Sequence, residues 1–253
     1  MNIIDPTKFA TVTATEPSSL VSQKYSMAST AQVLEVLQGR GWYPIGYHQK
    51  KANSPLRSGK QTHTVLLGNP ELQDGATLPR IMLKNSHGGT GSLQLLSGLF
   101  ERICANGLIV GASAEDVRIT HRSITESKIL EGVGRTVGSL ESALRLSERM
   151  RAVNLDRQQQ LDFAQEAIEM LWDGEKYAMM PQHLLFNHRR EQSVPTLWNT
   201  FNTVQERVIR GGVRQYKANG GRATTRAITA IDRNISTNRA LWDLAERKLQ
   251  VWQ

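Results

Sequence analysis

The sequence predicts an α+β protein: an antiparallel or mixed sheet with a packed helix, followed by a mostly helical C-terminal half. Two observations carry this prediction. Between Trp42 and Lys84, three short runs rich in aromatic, aliphatic and β-branched residues are separated by polar turns, as strands are. From Thr125 onward, apolar residues recur at three- and four-residue spacing, as on one face of a helix.

Residues 1–30 are rich in Ser, Thr and Ala without a sustained period and read as a flexible arm. Ser29 or Thr30 caps a short helix, Ala31 to Gln38, which Gly39 and Gly41 end. Strands are expected over Trp42–Lys50, Gln61–Leu67 and Leu78–Lys84, and the polar segment Lys51–Lys60 is the exposed tip of a hairpin. After the glycine-rich stretch Asn85–Gly91, residues Leu93, Leu96, Leu99, Phe100 and Ile103 predict the packed helix over Ser92–Ala105, stopped by Asn106-Gly107. Leu108–Val110 and Val117–Ser123 extend the sheet, which completes a sheet-plus-helix part over 31–124.

The helical part, 125–253, begins with a stripe of Ile129, Val133, Val137, Leu140 and Leu144, loosened by Gly132, Gly134 and Gly138. Asp156 and Gln159 form a capping box for a helix from Arg157 to Trp172. Residues 175–195 read as a mixed loop. An amphipathic helix over Thr196–Arg210 is terminated by Gly211-Gly212, and a last one runs from about Asn238 to Trp252. The two parts are expected to form one composite domain. The stripe at Ile129–Leu144 and the Leu241–Trp252 face exceed what a modest sheet needs, so a homo-oligomer, ring or filament, is expected.

The chain has 253 residues and a net charge of +8, unevenly distributed. Residues 1–124 carry 12 basic and 8 acidic groups (+4), residues 125–188 carry 7 and 10 (−3), and residues 189–253 carry 12 and 5 (+7). Such asymmetry points to a polyanionic partner. No apolar run approaches eighteen residues, so no membrane partner is expected. A single cysteine, Cys104, and an N-terminus without a secretory pattern fit a cytoplasmic protein.

Chemistry beyond binding finds little support. The stretch "NSHGGTGS" lacks the Lys-Ser/Thr pair of a phosphate-binding loop and the spacing of a dinucleotide fingerprint. It serves as a strand-to-helix turn or touches a nucleic-acid backbone; both readings stand. The six histidines show no paired metal-ligand spacing, so no metal and no cofactor is expected. No serine has a nucleophile-elbow context, and the acidic residues form no cluster suited to two-metal chemistry. No catalytic residue is assigned, and the protein leans away from being an enzyme.

Nucleic acid is the better argument. Arg207, Arg210, Arg214, Lys217, Arg222, Arg226 and Arg233 are interleaved with Gly, Asn, Ser/Thr and Tyr216, which suits phosphate contacts with close backbone approach. Lys50, Lys51, Arg57 and Lys60 make a second basic group at the hairpin tip. Trp42, Tyr47 and Tyr216 offer stacking surfaces for unpaired bases, although Trp42 and Tyr47 equally suit a sheet core.

Three blocks carry a resemblance. "LKNSHGGTGSLQLLSGLFERICANGLIV" with "VRITHR", "PTLWNTFNTVQERVIRGG", and "RATTRAITAIDRNISTNRALWDLAE" resemble the phage- and plasmid-borne proteins grouped as domain of unknown function 932, over roughly residues 35–250. The resemblance names kin without a reaction; the setting of its members on mobile elements implies DNA metabolism by association. A basic hairpin and sheet on a long helix, followed by a basic helical region, is also similar in architecture to Rad52-type single-strand annealing proteins. The expected function is therefore non-enzymatic binding of DNA, preferably single-stranded, with strand annealing in phage or plasmid recombination as its extension. The alternatives are a protein-binding inhibitor or regulator of host defence, and a DNA-processing enzyme.

Overall fold

A computed structural model describes residues 1–72, 77–101, 117–121, 125–172, 174, 176–186 and 194–253. Among them, one compact unit runs up to Ser142 and a second from Ala143.

In the first unit, helix α1 (Thr30–Gln38) starts at Ser29, whose side chain accepts from the Gln32 N–H. Its buried face is Val33, Leu34 and Leu37. Five strands follow: β1 (Tyr43–Gln49), β2 (His63–Gly68), β3 (Thr77–Asn85), β4 (Leu93–Glu101) and β5 (Val117–Ile119). They make one antiparallel sheet in the order β1-β2-β3-β4-β5. Pairs such as Leu67↔Ile81 and Leu83↔Leu95 set the register, and all four of these side chains are fully buried. The β1–β2 connection is the hairpin tip expected at Lys51–Lys60.

The helix expected over Ser92–Ala105 is instead strand β4 as far as Glu101. β4 lies between β3 and β5. Leu93, Leu95, Leu96 and Leu99 are buried, and so are Gln94 and Ser97 between them. A strand covered on both faces loses its period-two alternation, and its leucines then fall by chance at helical spacing. Cys104, the Asn106-Gly107 stop and the strand expected at Leu108–Val110 lie outside the described residues.

The helix that packs on the sheet is α2 (Glu126–Ala152). Small residues on its inner face let the backbones approach. A Cβ on Gly132 would sit 2.5 Å from Val117 Cγ1, and the Ser139 hydroxyl donates to that of Ser97 at 2.9 Å. Ile129, Val133 and Leu140 are buried as expected, whereas Val137 and Leu144 are only half-buried.

Residues 1–30, expected as an arm, are laid against this sheet. The Ile4 N–H donates to Pro44 O (2.9 Å), Ser18 N–H to His87 O (2.9 Å) and Ser26 N–H to His121 O (2.8 Å). Thr11, Val12, Ser18 and Ala28 are buried. The Asn85–Gly91 loop receives them: Asn85 Nδ2 donates to Ala28 O and to Thr30 Oγ1, and His87 Nε2 lies 2.9 Å from Thr11 O.

In the second unit, helices α3 (Arg157–Leu171), α4 (Leu197–Arg210) and α5 (Ile231–Trp252) pack on one another. Trp198 and Phe201 of α4 meet Trp242 of α5 edge-on, with ring centroids 6.4 and 5.8 Å away. α3 opens with the expected capping box of Asp156 and Gln159. α5 begins seven residues before the expected Asn238, because buried Ile231, Ile235 and Thr237 fasten a stretch of poor helix formers. Leu241, Leu244 and Leu249, expected to face a neighbouring subunit, are buried within the chain. Strands β6 (Tyr177–Ala178), β7 (Arg214–Lys217) and β8 (Arg222–Thr224) form a small antiparallel sheet in that order.

Candidate nucleic-acid interface

The basic block of the C-terminal quarter folds as a hairpin fastened to the end of α4. Gly211 ends that helix at φ 70° and ψ −157°, a conformation reserved for glycine. A Cβ there would also strike the Arg226 carbonyl carbon at 2.5 Å. The chain therefore leaves α4 under the segment that follows β8, with Gly212 N–H donating to Thr225 O and Thr225 N–H to Val213 O. The pairs Arg214↔Thr224 and Tyr216↔Arg222 put these four side chains on one face of the hairpin. Arg214 and Arg222 are exposed and Tyr216 is half-buried, while Gln215 points inward.

Beside this face lies a cleft of about 630 Å³. Arg157, His183, Arg207, Arg214 and Thr224 line it, together with Phe186. His183 is held by a hydrogen bond from Nδ1 to the Arg214 carbonyl at 3.1 Å. Arg157 is the first residue of α3, with one guanidinium nitrogen 3.2 Å from Gln160 Oε1. Arg207 Nε is buried without a hydrogen-bond partner among the described residues. Among the described residues the lining holds three arginines and no carboxylate, which makes it positive. A buried, unpaired donor on a guanidinium is costly, and an oxyanion satisfies it.

The other residues singled out in the sequence are placed differently. Arg210 is paired with Glu206 at 2.8 Å. Lys217 flanks the hairpin turn, and Arg226 and Arg233 are exposed beyond it. In the first unit, Lys50 and Lys51 are exposed, Arg57 is half-buried on the short 3-10 turn Pro55–Arg57, and the Lys60 ammonium donates to the Glu16 carbonyl. None of these four lines the cleft. Trp42 is 2% exposed and belongs to the core, so it offers no stacking face. Tyr47 is already stacked on Phe9 at 3.7 Å, and its hydroxyl is engaged by Thr11 and Gln49.

Sequence reasoning missed Arg157 and His183. No local signal marks them, since Arg157 reads as the first residue of an ordinary capped helix and His183 as part of a loop. The hairpin itself did have a signal, the Asn219-Gly220 turn, with Gly220 at φ 78°.

The family model described as "Domain of unknown function (DUF932)" matches residues 17–242. The chain belongs to this family. In this chain the matched residues take in the N-terminal segment from Pro17, the whole five-stranded sheet and the basic hairpin. Two relatives from Escherichia coli (strain K12), the UPF0380 proteins YfjQ and YafZ, are each 32% identical over 232 residues. Those alignments cover 92% of this chain and 85% of each relative. No solved structure matches. Among the described residues, no helix is long and apolar enough to cross a membrane, and no group of three or more His, Cys, Asp or Glu is placed to hold a metal ion.

Proposed function

We propose that this protein binds DNA, preferably single-stranded, without chemistry of its own, through the basic face of its second unit. The observation that carries the reading is Arg207: among the described residues its buried Nε has no hydrogen-bond partner, at a cleft shared with Arg157, Arg214 and His183. The hairpin adds Arg222 and Tyr216, a cation and a ring side by side, which suits a phosphate and an unpaired base in succession. Strand annealing by a homo-oligomer in the cytoplasm is the extended form of the proposal. Light scattering with and without single-stranded DNA tests that extension.

The binding itself is tested by fluorescence anisotropy with a labelled oligothymidylate over a series of salt concentrations. The parent should bind with a steep salt dependence. The Arg214→Ala/Arg222→Ala variant should bind more weakly, with a slope lower by roughly 0.7 per lost phosphate contact. A variant that keeps its circular dichroism spectrum, its affinity and its slope would remove this face as the site.

A further inference from the structure

The cleft of the second unit joins cations to an apolar surface. Besides Arg157, Arg207 and Arg214, its lining holds Leu185 and Phe186. Phe186 is 58% exposed, an aromatic ring open to solvent in a strongly basic space. The start of α3, the segment before residue 187, the end of α4 and the β7–β8 hairpin all converge there.

The arginines decide which anion fits best. Arg207 sits in the last turn of α4 with its Nε buried and unpartnered among the described residues, whereas Arg210, one turn on, is engaged by Glu206. Arg157 gives one guanidinium nitrogen to Gln160, and an arginine carries five N–H donors. The three charges share one space of about 630 Å³. A compact space of that volume is roughly 11 Å across, close to the ~8 Å Debye length at physiological salt, so the charges act together on one ion. Such a site rewards charge concentrated on one group. An internal phosphodiester brings a single negative charge. A terminal phosphomonoester brings about −1.5 to −2 at pH 7 and three acceptor oxygens, which match guanidinium forks.

We infer that this cleft captures the phosphorylated end of a nucleotide, with the terminal phosphomonoester among Arg157, Arg207 and Arg214 and the attached base against Phe186. The ligand class rests on the DNA-binding reading above; the addition is selection of a monoester end over the diester backbone. Leu185 and Phe186 give the cleft an apolar surface that inorganic phosphate cannot use, so a nucleotide outranks the bare ion. A strand held by its end lays its next units along the face of Arg222 and Tyr216. A free nucleoside monophosphate offers the same end without the strand.

The test is isothermal titration calorimetry of the full chain. The probes are oligothymidylates of one length with a 5′-phosphate, a 3′-phosphate or hydroxyls at both ends, and thymidine 5′-monophosphate. One phosphorylated end should bind about tenfold tighter than the hydroxyl-ended strand, the gain of one charge-assisted contact, and the end preferred gives the polarity. A hydroxyl-ended strand one nucleotide longer, which adds a diester instead, should not match that gain. Arg207→Lys keeps the charge but loses the fork, so it should remove the preference and leave hydroxyl-ended binding in place. Should that variant lose its circular dichroism spectrum, Arg214→Ala at an exposed position carries the same comparison. Phe186→Ala should weaken the monophosphate by about tenfold. Equal affinities for all strands, or a preference that survives in the folded arginine variant, would overturn the inference while DNA binding stands. Saturable monophosphate binding with no strand bound would overturn the DNA reading and keep the cleft as the site of a free nucleotide. If neither binds, both fall.

Discussion

Gln205 of α4 donates its side-chain N–H to Asn238 Oδ1 of α5 at 2.8 Å, with 2% and 0% of the two residues exposed. Asn238 in turn donates to the carbonyl of Asn234 at 2.9 Å and to its side-chain oxygen at 2.8 Å. This amide pair orients the two helices that carry the aromatic core. Asn238→Ala should cost roughly 1–3 kcal/mol, because it leaves a buried Gln205 amide unsatisfied. Replacing both by Leu should cost less than the sum of the single changes. Urea unfolding of Gln205→Leu, Asn238→Leu and the double variant measures this, and strict additivity would mean that the pair is not coupled.

Acid should loosen the first unit before it unfolds the second. His63, His87 and His121 are buried, and burial lowers the pKa of each; for His87 it falls to about 4, with nearby His63 adding to the effect. In the unfolded chain a histidine titrates near 6.5. The unfolded state therefore takes up protons first, so the contribution is fully present above about pH 6.5 and is lost as pH falls toward 4. For His87 alone the difference is on the order of 3 kcal/mol. Protection from hydrogen exchange at Ser18 and Ser26, whose N–H groups bond to the His87 and His121 carbonyls, should fall across that window once intrinsic exchange rates are corrected for pH. His87→Gln should flatten the pH dependence of urea stability; equal slopes in variant and parent would assign it elsewhere.

Two adjacent glycines should respond differently to the same change. Gly211 combines a positive φ with backbone atoms of Arg226 and Ala227 within 2.6 Å of a would-be Cβ. Gly212 also has a positive φ, 73°, but among the described residues nothing lies within 4 Å of its would-be Cβ. Gly212→Ala should cost about 1 kcal/mol and Gly211→Ala distinctly more, roughly 3 kcal/mol, since strain and overlap add. Thermal melting separates the two. Equal shifts would show that the segment after β8 yields freely.

What could be read from the sequence follows how local each signal is. The α3 start at Asp156 was legible because the capping box is complete within four residues. β4 was not, because burial on both faces is a property of its neighbours rather than of its own pattern. The β7–β8 strands are only four and three residues long and carry charged side chains, so the Asn219-Gly220 turn had no alternating flanks to frame it. Arg207, Arg214 and Arg222 were legible as candidates from the charge block alone. Arg157 and His183 come from other elements and reach the cleft through packing. Trp42 shows the remaining limit: residue type alone does not separate an aromatic surface from an aromatic core.

Under the proposed function, the ring of Tyr216 should separate single-strand from duplex binding. It lies directly across the ladder from Arg222, half-buried, on the face that also carries Arg214. A phosphate held by either arginine would bring an unpaired base within reach of the ring, whereas a paired base is already stacked within its duplex. Stacking of this kind contributes about 1–3 kcal/mol per base. Tyr216→Leu should therefore lower affinity for oligothymidylate by roughly tenfold or more, with little effect on a duplex of the same length. Tyr216→Phe should retain both affinities, because the ring and not the hydroxyl does the stacking. Leucine keeps the side chain apolar between β6 and β8, so a loss confined to single strands would not be a folding defect. Equal losses for single strands and duplex would instead make Tyr216 a packing residue and leave recognition to the arginines.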